Sequence, residues 1–301
     1  MYFYRFILPL LMRRSRGADQ FADAVVRRNE RDIVLKPWLV LFALMLPFII
    51  GLAMASDLAL SGASDEQSVA FPLLCSMMQI SCAIGSLILL LILKGNRRHL
   101  TRDAQWMNGL CDYIDEHGRD SGKMRRVASI VEGIITAPAT ALSTAVWTVE
   151  LILLASSMVM LALFDEGKDL LIGSSALSLI FLIFQFVLTS GCTLGFPARH
   201  DKLQSEFTKE FSDEAKYFGM RVEPMGHTVL NRRTAIHVLL VILTAGLYLC
   251  VCLFVSCKNM NEHISMQNTY EIDLLKTMIE FEGGTGIEAT KTGDRRIQGI
   301  V

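Results

Sequence analysis

Trp38-Leu-Val-Leu-Phe-Ala-Leu-Met-Leu-Pro47-Phe-Ile-Ile-Gly-Leu-Ala-Met-Ala-Ser56 runs for 19 residues without a charge. Crossing about 30 Å of hydrocarbon takes about 20 helical residues, so this stretch predicts a membrane-spanning helix. Its interior proline is tolerable because neighbouring helices re-satisfy the freed backbone groups. Four more blocks of the same kind follow: 69–93, one ending at 164 that begins between 137 and 144, 170–194 and 235–256. The predicted fold class is therefore all-α, a polytopic helical membrane protein with about five transmembrane helices. Overall composition alone would not decide this. The chain is 52% hydrophobic and 20% charged, a modest departure from the about 45–50% and about 25% of soluble domains. The long apolar blocks decide it.

The cations orient the blocks. Residues 1–36 carry eight Lys/Arg, 94–136 carry eight and 195–234 carry seven, whereas 57–68 carry none and 164–169 only Lys168. Short loops rich in Lys and Arg stay cytoplasmic. The alternation predicts a multi-pass cell-membrane protein with its N-terminus inside, two tight hairpins pointing out and two basic loops inside. A straight fifth span, the arrangement expected here, places the C-terminus outside, against the weak pull of five tail cations. Gly246, mid-segment, offers a re-entrant hairpin as the alternative. The chain then divides into a basic cytoplasmic segment 1–36, transmembrane hairpin 37–95, amphipathic helix 96–126, transmembrane hairpin 127–195, amphipathic helix 196–234, fifth span 235–257, and an amphipathic helix with a disordered tail, 258–301. Residues 1–12 have too short an apolar core for a signal peptide or a span and read as a retained interfacial anchor.

Three inner segments carry apolar stripes at helical spacing: Leu100, Ala104, Met107, Cys111 and Ile114; Leu203, Phe207, Phe211, Ala215 and Phe218; Tyr270, Leu274, Met278 and Phe281. Such helices either lie in the headgroup plane or pack on each other as a small cap. A possible internal repeat of helical hairpins accompanies them. Paired arginines precede each membrane segment, and a histidine follows it: His99, His200 and His263. Each histidine has a polar residue four positions on and an aromatic seven on: Asp103 and Trp106, Gln204 and Phe207, Gln267 and Tyr270. A duplicated unit accounts for this; so does the common need of inner helices for basic starts and interfacial aromatics.

Glu150 is the one carboxylate inside an apolar block. A charge at the bilayer centre costs at least about 2.5–3.5 kcal/mol, so it must be protonated, paired or facing water or the bundle interior. Counted from the outer turn, Gln185 on the next span lies at a matching depth, which predicts a Glu150–Gln185 hydrogen bond. Gln79 is a further buried polar position, expected to bond across helices. His99, His200 and His263 would meet as a metal site only with a genuine repeat and a cytoplasmic tail; beside arginines at an inner interface they are expected to face solvent or headgroups. Arg97, Arg98, Arg125, Arg126, Arg232 and Arg233 are expected to contact anionic lipid headgroups. The seven cysteines form no C-x-x-C pair and are expected to pack as small hydrophobes.

Phosphate-loop, zinc-protease and serine-hydrolase motifs are missing. No catalytic residue, cofactor or metal is therefore expected. The net charge of -1 argues against a nucleic-acid partner recognised through bulk basicity. Thr244-Ala-Gly246-Leu-Tyr248, followed by Lys258-Asn-Met-Asn261-Glu-His263, resembles small uncharacterised prokaryotic membrane domains whose span carries Thr-x-Gly-(Ile/Leu)-Tyr. The likeness covers about 35 residues and departs at Leu249-Cys-Val-Cys, where that pattern has aromatics. It implies a prokaryotic membrane protein and transfers no site residue. The leading expectation is a non-enzymatic membrane protein whose inner helices bind lipid, a partner protein or a second copy. A proton- or cation-coupled carrier using Glu150 comes second, and a membrane-embedded enzyme third.

Overall fold

No proline lies between Pro72 and Pro138, so nothing interrupts the helix between the second apolar block and the stripe that follows it. In the computed structural model they form one 53-residue helix, about 80 Å long. The structure describes residues 15–28, 32–60, 64–134, 137–163, 167–226, 229 and 233–297. The helices in chain order are α1 (Arg16–Val26), α2 (Pro37–Leu60), α3 (Ser64–Glu116), α4 (Gly122–Glu132), α5 (Ala137–Leu163), α6 (Gly167–Thr193), α7 (Phe196–Tyr217), α8 (Thr234–Leu243) and α9 (Leu249–Ile297). There is no strand among the described residues.

Four helices, α2, α3, α5 and α6, are long and apolar enough to cross a membrane. They form two hairpins that meet along α3. Their outward faces leave Phe42 59%, Ile152 58% and Ile180 61% exposed, a surface that needs an apolar solvent.

The straight fifth span predicted from sequence is not formed. α8 stops at Leu243, and a turn follows in which Ala245 has φ 47° and Gly246 φ 90°. The Tyr248 amide donates to Thr244 Oγ1 at 3.0 Å, and Tyr248 Oη lies 3.2 Å from His237 Nδ1 across the bend. α9 then runs back. The tip lies beside the middle of α6: a Cβ on Gly246 would sit 3.1 Å from Leu179 Cδ1. Farther along, Ser256 Oγ donates to the Thr193 carbonyl at the end of α6 (3.0 Å), and Asn261 Nδ2 donates to the Leu35 carbonyl (2.9 Å). The segment is thus a re-entrant hairpin, and the Thr-x-Gly-Leu-Tyr stretch is its tip. The physical reason is Gly246, whose left-handed conformation carries no Cβ penalty. The ten residues of α8 reach only about 15 Å. In consequence α9 emerges at the same end as α7, not at the opposite end that a straight span requires.

At that end the three amphipathic stripes pack on one another. Met107, Cys111, Ile114, Phe207, Phe211, Ala215, Leu274 and Met278 are all 2% exposed or less and share one core. α1 closes it by crossing α3 at a pair of glycines. A Cβ on Gly17 would lie 2.5 Å from the Gly109 carbonyl, and one on Gly109 would lie 2.8 Å from the Phe21 amide. Phe21, fully buried, stacks edge-on to Trp106. α9 continues through Gly283-Gly-Thr-Gly286 to Ile297.

Candidate metal centre

Positions i, i+4 and i+7 stack on one helix face, so α3 presents His99, Asp103 and Trp106 together. The same spacing aligns His200 and Gln204 on α7, and His263 and Gln267 on α9. These faces converge. The imidazole centroids of His99, His200 and His263 form a nearly equilateral triangle with sides of 5.2, 5.4 and 5.1 Å. The rings are buried, where headgroup-facing positions were expected. The correction follows from the hairpin, which returns α9 to the cap.

Asp103 sits at the hub. Its Oδ1 accepts from Gln267 Nε2 (2.7 Å), Trp106 Nε1 (2.9 Å) and Arg102 Nη2 (3.1 Å). Its Oδ2 accepts from Gln204 Nε2 and faces His200 Nε2, with His99 Nε2 3.1 Å away. A second layer of carboxylates stands behind the histidines. Asp32 Oδ1 lies 2.9 Å from His99 Nδ1, and Asp201 Oδ1 lies 3.0 Å from His263 Nδ1. Asp201 Oδ2 in turn accepts from the Val229 amide at 3.0 Å. The fully buried Arg102 joins this layer to the hub, donating to Asp32 Oδ2 (2.7 Å) and Glu271 Oε1 (2.8 Å).

These groups lie beyond the apolar stretches, and burial divides their protonation. For His99 burial pulls the proton affinity down, but Asp103 and Asp32 outweigh it and raise the pKa to about 9. Burial wins at His200, lowered to about 4, and at His263, also lowered. Burial pushes Glu271 up to about 7 against the pull of Arg102.

His200 Nδ1 and His263 Nε2 are left without a hydrogen-bond partner, and His99 Nε2 meets Asp103 Oδ2 at 3.1 Å. An unmade hydrogen bond in a buried site costs about 1–3 kcal/mol. One donor atom each from His99, Asp103, His200 and His263 lies within 4.8 Å of the others. Tetrahedral zinc, with bonds of about 2.0–2.1 Å, holds its donors about 3.4 Å apart, so shifts of about 1 Å close this set. Carboxylates on Nδ1 turn Nε2 of His99 toward Asp103 and leave Nε2 of His263 unpartnered, the arrangement that supports metal-bound histidines. The donor set fits a divalent transition ion of the zinc class.

The other sequence-predicted positions are dispersed. Glu150 is fully buried in the membrane bundle, but its expected bond to Gln185 is not made. Gln185 Nε2 donates instead to Ser143 Oγ at 2.9 Å. Glu150 lies beside Ser178, seven residues before Gln185, and the start of α6 at Gly167 instead of residue 170 accounts for three of the seven. Gln79 Oε1 accepts from Ser157 Oγ at 2.8 Å, bonding across helices. Arg97, Arg98, Arg126 and Arg233 are exposed. Arg125 is exposed too but engaged within the cap, donating to Asp112 Oδ1 (2.7 Å) and Asp115 Oδ2 (2.6 Å), because the short α3–α4 connection brings those acids under it. Arg232 lies outside the described residues. Sequence reasoning missed Asp32, Arg102, Asp201 and Glu271. Glu271 was accessible, since it extends the His263–Gln267 spacing by another four residues; Asp32 carries no such signal. No protein-family model, curated protein or solved structure matches the chain.

Proposed function

We propose that this chain is a multi-pass cell-membrane protein whose cytoplasmic cap is fastened by a zinc-class ion bound to His99, Asp103, His200 and His263. The observation that carries the reading is the set of donor atoms of His99, Asp103, His200 and His263, all within 4.8 Å of one another, with two of the imidazoles backed by Asp32 and Asp201. Four protein donors leave no open position, and the donors are buried. A closed site of this kind is structural, whereas catalytic zinc keeps a position for water or substrate. The ion would join α3, α7 and α9, which belong to three separate membrane segments. It therefore bears on whether the cap is assembled, and the reading is non-enzymatic.

The orientation rests on the cations. With α8 and α9 forming a re-entrant hairpin, every Lys and Arg among the described residues except Lys168 falls in segments at one end, or in the hairpin's own flanks, which the positive-inside rule assigns to the cytosol. The exposed Arg97, Arg98, Arg126 and Arg233 would meet anionic headgroups there. The test is elemental analysis of protein extracted and purified in detergent without chelator. Wild type is expected to hold about one equivalent of metal, and His263→Ala to lose most of it. Metal-free wild type that also fails to take up zinc on titration would contradict the reading.

A further inference from the structure

A second polar assembly runs through the membrane part, where α3, α5 and α6 face one another. It has three levels on α5, at Ser157, Glu150 and Ser143, spaced seven residues or about 10 Å apart. At the first level Ser157 donates to Gln79, and at the third Gln185 donates to Ser143 and, at 3.3 Å, to the Ser86 carbonyl. The middle level is different. Glu150 is fully buried beside Ser178 of α6 and Cys82 of α3, with the Ser178 hydroxyl against its carboxyl group and no ion pair to it among the described residues.

The flanking levels also hold unused capacity. Gln79 Nε2, Gln185 Oε1 and the hydroxyl of Ser86 are buried without partners. In a low-dielectric bundle each such group is costly, and a string of them is a place for water, which needs two to four polar partners per molecule. Glu150 is the only ionisable acid or base buried in the apolar stretches among the described residues, apart from the cysteines. An intramembrane carboxylate without a counter-charge is read first as functional.

We propose that this seam is a proton path with Glu150 as its midpoint acceptor. The carboxylate takes a proton from water held at the Gln79–Ser157 level, forming a neutral carboxylic acid. It then releases that proton to water at the Ser143–Gln185 level and is again a carboxylate. No electron moves and no bond other than O–H is made or broken; membrane potential or a pH difference sets the direction. A metal cation fits the seam poorly. One carboxylate and scattered hydroxyls do not form the cage of six to eight oxygens that calcium takes, nor the tight octahedron of magnesium.

The test uses the full chain in vesicles of neutral lipid loaded with potassium and an enclosed pH dye, with valinomycin imposing the potential. Wild type is expected to shift internal pH faster than protein-free vesicles, and Glu150→Gln to fall to the protein-free rate. Ser178→Val and Gln185→Leu, which keep the acid, are expected to slow the flux. Wild-type vesicles no faster than empty ones would overturn the proposal, and so would a folded Glu150→Gln protein with wild-type flux. Should Glu150→Gln not fold, unchanged flux in both Ser178→Val and Gln185→Leu would overturn it as well.

Discussion

Asp103 and Glu150 are both fully buried carboxylates, yet Asp103 receives bonds from Arg102, Trp106, Gln204 and Gln267 while Glu150 meets the hydroxyl of Ser178. The difference comes from what each region can offer. The cap is built from amphipathic helices, so polar stripes beside the apolar ones supply partners and a second layer behind them. The spans are apolar by necessity, and α3, α5 and α6 can place only amides, hydroxyls and thiols near the acid. A crowded carboxylate holds structure and offers a fixed ligand; a solitary one is free to change its protonation.

That contrast can be broken by substitution. The largest effect is expected for Asp103→Ala, which leaves Arg102 and His99 buried without their hub. Losing one partner of a buried ion network costs about 3–5 kcal/mol, read as a lower midpoint for thermal unfolding in detergent. A loss below about 1 kcal/mol, the worth of an exposed pair, would show that the cap does not rest on Asp103. Next comes Asp201→Asn, which removes the charge behind His263 while keeping its shape. Changes in this second layer cost about 10–100-fold in metal affinity, measurable by competition with a chromophoric chelator. Unchanged affinity would detach Asp201 from the site.

How far these regions could be read in advance differs for physical reasons. The four spans were legible because apolar length is a local property, and the cap's three stripes because helical spacing is local too. The triad of histidines was visible as a repeated His-x-x-x-polar spacing, but their convergence depended on the path of residues 235–257. There a single glycine decides between crossing and turning back, and hydropathy does not see it. The partner of Glu150 differs in part because helix α6 begins with the charged Lys168 and Asp169, so a count from the first apolar residue starts three residues late. Asp32 lies outside the helices, in the stretch between α1 and α2, and only the tertiary fold brings it to His99.

Gly246 links the two regions and should give a smaller effect. With φ at 90° and Leu179 Cδ1 3.1 Å from a built Cβ, Gly246→Ala is expected to cost about 1–2 kcal/mol through left-handed strain. Faster protease cleavage near the hairpin would accompany it; a wild-type unfolding midpoint would argue that the turn tolerates a side chain. The smallest effect is expected for Glu150→Gln, which keeps the shape of the side chain and a polar group against Ser178. Its midpoint should move by no more than about 1 kcal/mol in either direction, within the range of single polar contacts between membrane helices. A drop as large as that of Asp103→Ala would erase the contrast and make Glu150 a structural residue.

The most direct measurement is X-ray absorption at the zinc edge of the zinc-loaded full chain. The account predicts a four-coordinate ion with donors at about 2.0–2.1 Å, three of them showing the outer-shell scattering of imidazole. A six-coordinate oxygen shell, or fewer than three imidazoles around the ion, would contradict it.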